Sequence, residues 1–328
     1  VLFYVLRRFF YMLILLLIIS VAAFIIIQLP PGDFLTSYII QLQESGTQVD
    51  KSEIASLRKQ YGLDLPVYLQ YFKWIWKMLR GEFGMSFSWD RPVAELIAER
   101  LPFTIIIALF TLGFTYCMAI PIGIYSATHQ YSIGDYTFTV VGFAGLAIPN
   151  FLFALILMFF FYKYFGLSVG GLFSPQYMRA AWSVARFVDM LKHLPIPIIV
   201  IGTAGTAGLI RIMRGCLLDE LGKQYVITAR AKGVAERTLL FKYPVRVAIN
   251  PIISTIGWTL PAIISGGTIT AIVLNLPTTG PLLFDALLTQ DMYLAGSTIM
   301  FLSFLTIIGT FVSDLLLIWI DPRIQYEK

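Results

Sequence analysis

Charge is what this sequence has least of. Asp, Glu, Lys and Arg make up 13% of its 328 residues, against about 25% in a soluble domain. A chain this poor in charge cannot coat a water-facing surface, so most of its solvent must be lipid. Cysteine is almost missing. Cys117 and Cys216 lie far apart in sequence, in or beside apolar runs, which indicates neither a disulfide framework nor a zinc site. The two histidines, His129 and His193, are isolated and read as loop or interface residues rather than metal ligands. The apolar runs hold no carboxylate pair, no metal-ligand cluster and no Ser–His pair, which argues against an intramembrane enzyme. No basic-aromatic groove suggests nucleic acid. The net charge of +5 is instead what basic cytoplasmic loops give a membrane protein.

What is there is long apolar runs. Hydrophobic residues make up 58% of the chain and mean hydropathy is +0.78. Runs free of Asp, Glu, Lys and Arg occupy 9–32, 101–134, 136–162, 194–210, 247–284 and 292–313. Within them we place spans near 9–29, 103–126, 137–162, 195–214, 251–275 and 297–320. Each is long enough for a hydrocarbon core of about 30 Å. The first run follows Arg7-Arg8 and ends in Gln28-Leu29-Pro30-Pro31, with no small-residue cleavage site. It is longer than a signal-peptide core and is expected to stay attached. The fold class is therefore an all-α membrane protein with about six transmembrane helices.

Basic residues set the orientation. The tails hold Arg7, Arg8, Arg323 and Lys328, and segment 211–246 holds Arg211, Arg214, Lys223, Arg230, Lys232, Arg237, Lys242 and Arg246. The loop at 276–296 has no Lys or Arg. Both termini are expected in the cytoplasm. The long first loop, 30–102, is expected outside and folded, with helical character at 51–61 and an aromatic helix at 66–80 carrying Tyr68, Tyr71, Phe72, Trp74 and Trp76. That helix either braces the first two spans at the headgroup level or docks an external partner. Residues 92–101 form an amphipathic lead-in to the second span. The 276–296 loop is either a partly re-entrant segment or a turn with a short surface helix.

Inside the spans, Asp314 is the ionisable residue to explain. A lone carboxylate makes a poor proton relay, so pairing with an inner-side Arg or bonding to a neighbouring helix is the expected role. Gly202, Gly205 and Gly208 with Ala204 and Ala207 imply close helix packing. Pro149, Pro261, Gly266 and Gly267 are expected kink positions.

Segment 216–246 is too long and too charged for a turn. Asp219-Glu220 suggest a short helix stopping at Gly222. A second helix over 225–232 ends at Gly233, since glycine takes the left-handed conformation that follows a helix. A third starts at Ala235 and runs to Lys242. Ala229 and Ala231 permit close approach. From the residues alone, a membrane-surface basic helix and a docking knob fit equally.

The segment Ile227-Thr228-Ala229-Arg230-Ala231-Lys232-Gly233 resembles the cytoplasmic signature loop of ABC importer permeases. Ile227 and Thr228 replace the usual Glu and first Ala, and Val245-Arg246 stand where Leu-Pro is usual. The form from Thr228 to Gly233 is that of the oligopeptide and dipeptide branch. The resemblance to the first permease subunit of that branch runs over nearly the whole chain. It takes in Arg7-Arg8, Pro31-Gly32-Asp33, Tyr61-Gly62-Leu63-Asp64, Arg80-Gly81-Glu82-Phe83-Gly84, Arg91-Pro92-Val93 and Asp321-Pro322-Arg323. Pro277-Thr278-Thr279-Gly280 depart from its Pro-Gly-x-Gly.

The resemblance implies a type I ABC importer permease in the inner membrane of a prokaryote. Its parts would be an N-terminal span with an external loop at 1–102, a transport core at 103–321 and a cytoplasmic tail at 322–328. It would form half of a peptide pore with a second homologous permease subunit, two ATPase subunits or domains and an extracytoplasmic substrate-binding protein. Thr228, Ala229, Arg230, Ala231, Lys232, Gly233 and Glu236 would form the ATPase-coupling loop. ATP and Mg would be bound by the partner ATPase, with no cofactor and no catalytic residue in this chain. A phosphate loop is indeed missing, since Gly222-Lys223 is followed by Gln224 and preceded by Leu217 where the first Gly should stand. Oligosaccharides, nickel chelates or other small solutes are alternative cargoes of such permeases. An ion-coupled secondary transporter is the competing class, but it wants coupling charges near the midplane, and only Asp314 is offered.

Overall fold

The computed structural model of the chain describes residues 2–28, 65–86, 88–166 and 169–320. The expected helix at 51–61, the motifs at 31–33, 61–64 and 321–323, and the basic C-terminal tail lie outside the described residues. Helices make up nearly everything else. They are α1 (Leu2–Gln28), α2 (Val67–Leu79), α3 (Val93–Thr128), α4 (Ile133–Ala147), α5 (Asn150–Phe165), α6 (Val184–His193), α7 (Pro195–Leu221), α8 (Gln224–Ala231), α9 (Glu236–Lys242), α10 (Pro244–Ser254), α11 (Ile256–Gly266), α12 (Thr268–Val273), α13 (Thr279–Leu288) and α14 (Met292–Ile320). A minimal antiparallel hairpin pairs β1 (Met85–Ser86) with β2 (Arg91–Pro92).

Four stretches are single helices long and apolar enough to cross a membrane: Val5–Ile26, Val93–Thr128, Pro195–Leu221 and Met292–Leu316. Two further candidates are bent pairs, α4 with α5 at 104° and α9–α10 with α11 at 43°. The described chain is thus all-α with four to six spans, a multi-pass membrane protein. The third span, expected over 137–162 with a kink at Pro149, is broken there into two helices bent by 104°. Pro149 has no N–H to donate and forces Ile148 out of helical geometry (φ −86°, ψ 120°), so the chain turns sharply there. The expected lead-in at 92–101 forms the first turns of α3, which starts at Val93. The expected short helix at Asp219-Glu220 is the end of α7, which runs seven residues beyond the expected 214.

Pro261 sits inside α11 without breaking it. The carbonyl left without its helical donor, that of Gly257, instead accepts from the Thr310 hydroxyl of α14 at 3.3 Å. The break falls earlier, at Thr255. Its hydroxyl donates to the Ile252 carbonyl (2.6 Å), which leaves an oxygen lone pair to accept from Tyr116 of α3, also at 2.6 Å.

Backbone contacts divide the chain into two compact units. The first consists of Phe103–Pro277 with Val1–Val5 and Ile308–Lys328. In it, α7 is the central helix. A Cβ on Gly202 would come within 2.8 Å of Phe114 of α3, whereas Gly208 faces open space, so only part of the glycine series serves close approach. Met213 and Leu217 of α7 pack with Val245, Ala248 and Ile252 of α10. A second cluster gathers Phe103, Met190, Leu194, Val200 and Leu274.

The second unit consists of Leu6–Pro102 and Thr278–Ile307. Here α2 lies on α1: Ser20 and Tyr71 share a 2.8 Å hydrogen bond, and Phe24 meets the rings of Tyr71 and Trp74. Three other aromatic side chains of α2, Tyr68, Phe72 and Trp76, stay exposed in an i, i+4 stripe. The first turns of α3 bury Val93, Leu96 and Ile97 against Leu282, Ala286 and Leu294. Their outer face carries Glu95 and Glu99, both paired with Arg91. The 276–296 loop contains a turn and then α13, ten residues long. Asp291 is fully buried at the start of α14. One carboxylate oxygen accepts from the Leu294 N–H (3.0 Å), and the other from the hydroxyls of Ser86 (2.6 Å) and Ser88 (3.2 Å) and from the Ser88 N–H (3.2 Å).

Candidate functional site: the elbow after α7

Two residues separate α7 from α8, four separate α8 from α9, and Tyr243 alone separates α9 from α10. Between α8 and α9 the chain reverses through a Schellman motif. The Gly233 N–H donates to the Arg230 carbonyl (3.0 Å) and the Val234 N–H to the Ala229 carbonyl (3.3 Å). Gly233 takes φ +75°, the left-handed region. A Cβ there would meet nothing within 4 Å, so the requirement for glycine is conformational, not steric.

The turn closes a small core. Val226 and Leu239 are fully buried, with Ala229, Val234 and Tyr243 packed around them. Each buried aliphatic side chain contributes roughly 1.5–3 kcal/mol, enough to hold α9 on α8. Across the turn the Arg230 guanidinium makes a two-pronged contact with Glu236, Nε to Oε1 at 2.6 Å and an η nitrogen to Oε2 at 3.2 Å. The pair is exposed on both sides and fixes direction more than it adds stability. At the start of α8 the Tyr225 hydroxyl donates to Glu220. Partial burial, and then the nearby Glu220 carboxylate, push its pKa up to about 12. This contribution is complete below the usual tyrosine value of about 10 and is lost only as pH rises through the folded value.

The structure therefore brings the candidate residues onto one knob and sorts them. Thr228, Arg230, Ala231, Lys232, Gly233 and Glu236 are exposed, and Ala229 is drawn into the knob's own core. Of the two small residues, only Ala231 stays outside. Ile227, an exposed apolar side chain beside Arg230 and Lys232, belongs to the same outer face. What this face presents to its surroundings is shape and charge.

Replacing Gly233 by Ala costs about 1–2 kcal/mol of local strain, the usual cost of a left-handed L-residue. We expect faster amide exchange over 229–234, while the spans keep their protection. Unchanged exchange at Val234 would contradict the motif's role.

Asp314, the intramembrane carboxylate, is partly buried in α14 and does not lack a partner. Another acid is tied across helices. Asp135, at the third position of α4, is paired with Arg214 of α7 through two hydrogen bonds of 3.0 and 2.9 Å. It also accepts from the Tyr131 N–H, while Ser132 caps its own N–H. Only the cap has a local signal, Ser132-x-x-Asp135 with capping-box spacing before an apolar run; the Arg214 partner does not.

Comparison with known proteins points the same way. The family described as "Binding-protein-dependent transport system inner membrane component" matches residues 119–326, and its N-terminal component matches residues 1–108. The chain is 35% identical over 325 residues to the oligopeptide transport system permease protein AppB of Bacillus subtilis, covering 98% of this chain and 99% of that protein. It is 27% identical over 344 residues to the dipeptide transport system permease protein DppB of Escherichia coli, covering all of both. It is 28% identical over 361 residues to the peptidoglycan transport system permease protein YejB of Agrobacterium fabrum, covering 99% and 98%. With both parts of the family matched along almost its whole length, the chain belongs to the binding-protein-dependent inner membrane components, and is a non-catalytic permease subunit of an ABC transporter.

Proposed function

We propose that this chain forms one half of the pore of an ATP-driven importer of di- or oligopeptides in the plasma membrane of a prokaryote, with both termini in the cytoplasm. The other half is a second permease subunit. Two ATPase subunits or domains grip the elbows, and an external binding protein delivers the cargo. Residues 1–102 act as the N-terminal span and external loop, 103–321 as the transport core and 322–328 as the tail. The observation that carries the reading is the elbow: a rigid turn at Gly233 with an exposed basic and apolar face, held directly between two candidate spans. Names of the relatives, which include oligopeptide and dipeptide permeases, support a peptide cargo.

The mechanism follows from the elbow's build. The face around Ile227, Arg230 and Lys232 sits in a groove of the ATPase. When ATP draws two ATPases together, the groove pulls the knob, and α7 and α10 transmit the motion to the pore. The test is uptake of labelled peptides of two to six residues by cells or vesicles holding the full transporter. Uptake should stop when ATP is depleted and survive an uncoupler. Uptake that persists without ATP but collapses with the uncoupler would sink the reading in favour of ion coupling.

A further inference from the structure

A cavity of about 290 Å³ lies between α4 and α7, in the first unit. One end is polar and is lined by Tyr131, Asp135, Arg211 and Arg214. The other end is apolar and is lined by Phe143, Leu146 and Ala207. Asp135 to Leu146 is eleven residues along α4, so the two ends lie about 16 Å apart along the helix. The charges do not cancel. Arg214 is committed to Asp135, whereas Arg211 has no carboxylate partner among the described residues. The site therefore holds one uncompensated cation, next to a tyrosine, at the head of an apolar channel.

We propose that this groove binds one anionic phospholipid. The phosphate sits on Arg211, with the Tyr131 hydroxyl within the same polar end. One acyl chain runs along Phe143 and Leu146. Three features select a lipid over a soluble anion. The apolar end adds nothing to a free phosphate but continues the path of an acyl chain. The outer face of α4 beside it, Val140, Val141 and Phe143, is exposed and apolar, as a lipid-facing helix must be. The cation lies in the half of α7 nearer the basic elbow, about 15 Å from its end, and the tyrosine just before α4; basic pockets between spans on the cytoplasmic side are where anionic headgroups bind. Arg214 here positions rather than binds: held by Asp135, it keeps that carboxylate from repelling the phosphate.

The test is native mass spectrometry of the purified transporter complex released from nanodiscs of phosphatidylcholine with phosphatidylglycerol. The wild-type complex should retain phosphatidylglycerol in preference to phosphatidylcholine. Arg211→Gln should lower that retention about fivefold, the value of one basic residue near an anionic surface. Arg211→Lys should restore most of it. Arg211 is exposed, so these variants should fold, and unchanged thermal unfolding checks this. Millimolar inorganic phosphate or glycerol phosphate should not displace the lipid. Equal retention by Arg211→Gln, or equal binding of phosphatidylcholine, overturns the proposal. Displacement by inorganic phosphate overturns it in favour of a soluble-anion site, and a wild-type complex without phosphatidylglycerol overturns it in favour of a protein partner filling the groove.

Discussion

Leu239→Asp should abolish uptake while leaving the protein folded in the membrane. Leu239 is fully buried in the core that joins α9 to α8. The substitution removes roughly 1.5–3 kcal/mol of apolar burial and places an unpaired carboxylate there, at a further cost on the order of 3–5 kcal/mol. The carboxylate's cost alone exceeds the roughly 1.5–3 kcal/mol that Val226, the other fully buried side chain of the elbow core, still contributes, so α9 must leave α8. Arg230 and Glu236 would then lose their fixed separation, since their contact spans the turn. The spans have their own cores, in which Leu239 takes no part. The expected result is background uptake and lost co-purification with the ATPase, at near-normal abundance and thermal stability. Leu239→Met, which keeps the volume, should transport almost normally. Retained ATPase binding by the Asp variant would show that the elbow core does not organise the docking face.

Asp291→Ala should markedly destabilise the second unit. The carboxylate caps α14 through Leu294 and also holds the hairpin through Ser86 and Ser88. Losing the cap costs about 1 kcal/mol. Leaving buried donors such as the Ser86 hydroxyl unsatisfied adds about 1–3 kcal/mol for each. Thermal denaturation in detergent should show a clear fall in midpoint. Asp291→Asn, which keeps one oxygen acceptor, should fall less. If Ala and Asn behave alike, the carboxylate is not the pin that the geometry describes.

The two cases differ in how far the sequence announces them. Elbow helices, their ends and the left-handed turn follow from local rules, because Gly233 and the periodicity of 224–242 lie within one short stretch. The spans are legible for the same reason: composition over about 20 residues decides them. Asp291 is not legible, because its partners Ser86 and Ser88 stand some two hundred residues away. A cap before Met292 could be read, but not the second set of donors. The same limit hid the burial of Ala229, which depends on Leu239 arriving from the next helix. Proline was legible as a kink but not as to size. Pro149 breaks the helix outright, while Pro261 leaves α11 whole because Thr310 attends to the freed carbonyl. The outcome depends on what stands opposite, and sequence order alone does not say.

The short joints around the elbow have a mechanical consequence. Lys223 with Gly222, and Tyr243 alone, leave almost no slack between the knob and its two stems, since a residue reaches at most about 3.6 Å. Just beyond those joints Met213 and Leu217 are packed against Val245 and Ile252, so the stems cannot slide freely past one another. Knob and stems thus form a solid piece rather than a tethered one. A tug of a few ångströms passes up α10, which continues through Pro251, and reaches Thr255, where the helix pair breaks. There the helix already bends by 43°, and a single hydroxyl from Tyr116 steadies it. Yielding is concentrated at that joint, and Tyr116→Phe is the way to loosen it without touching the knob.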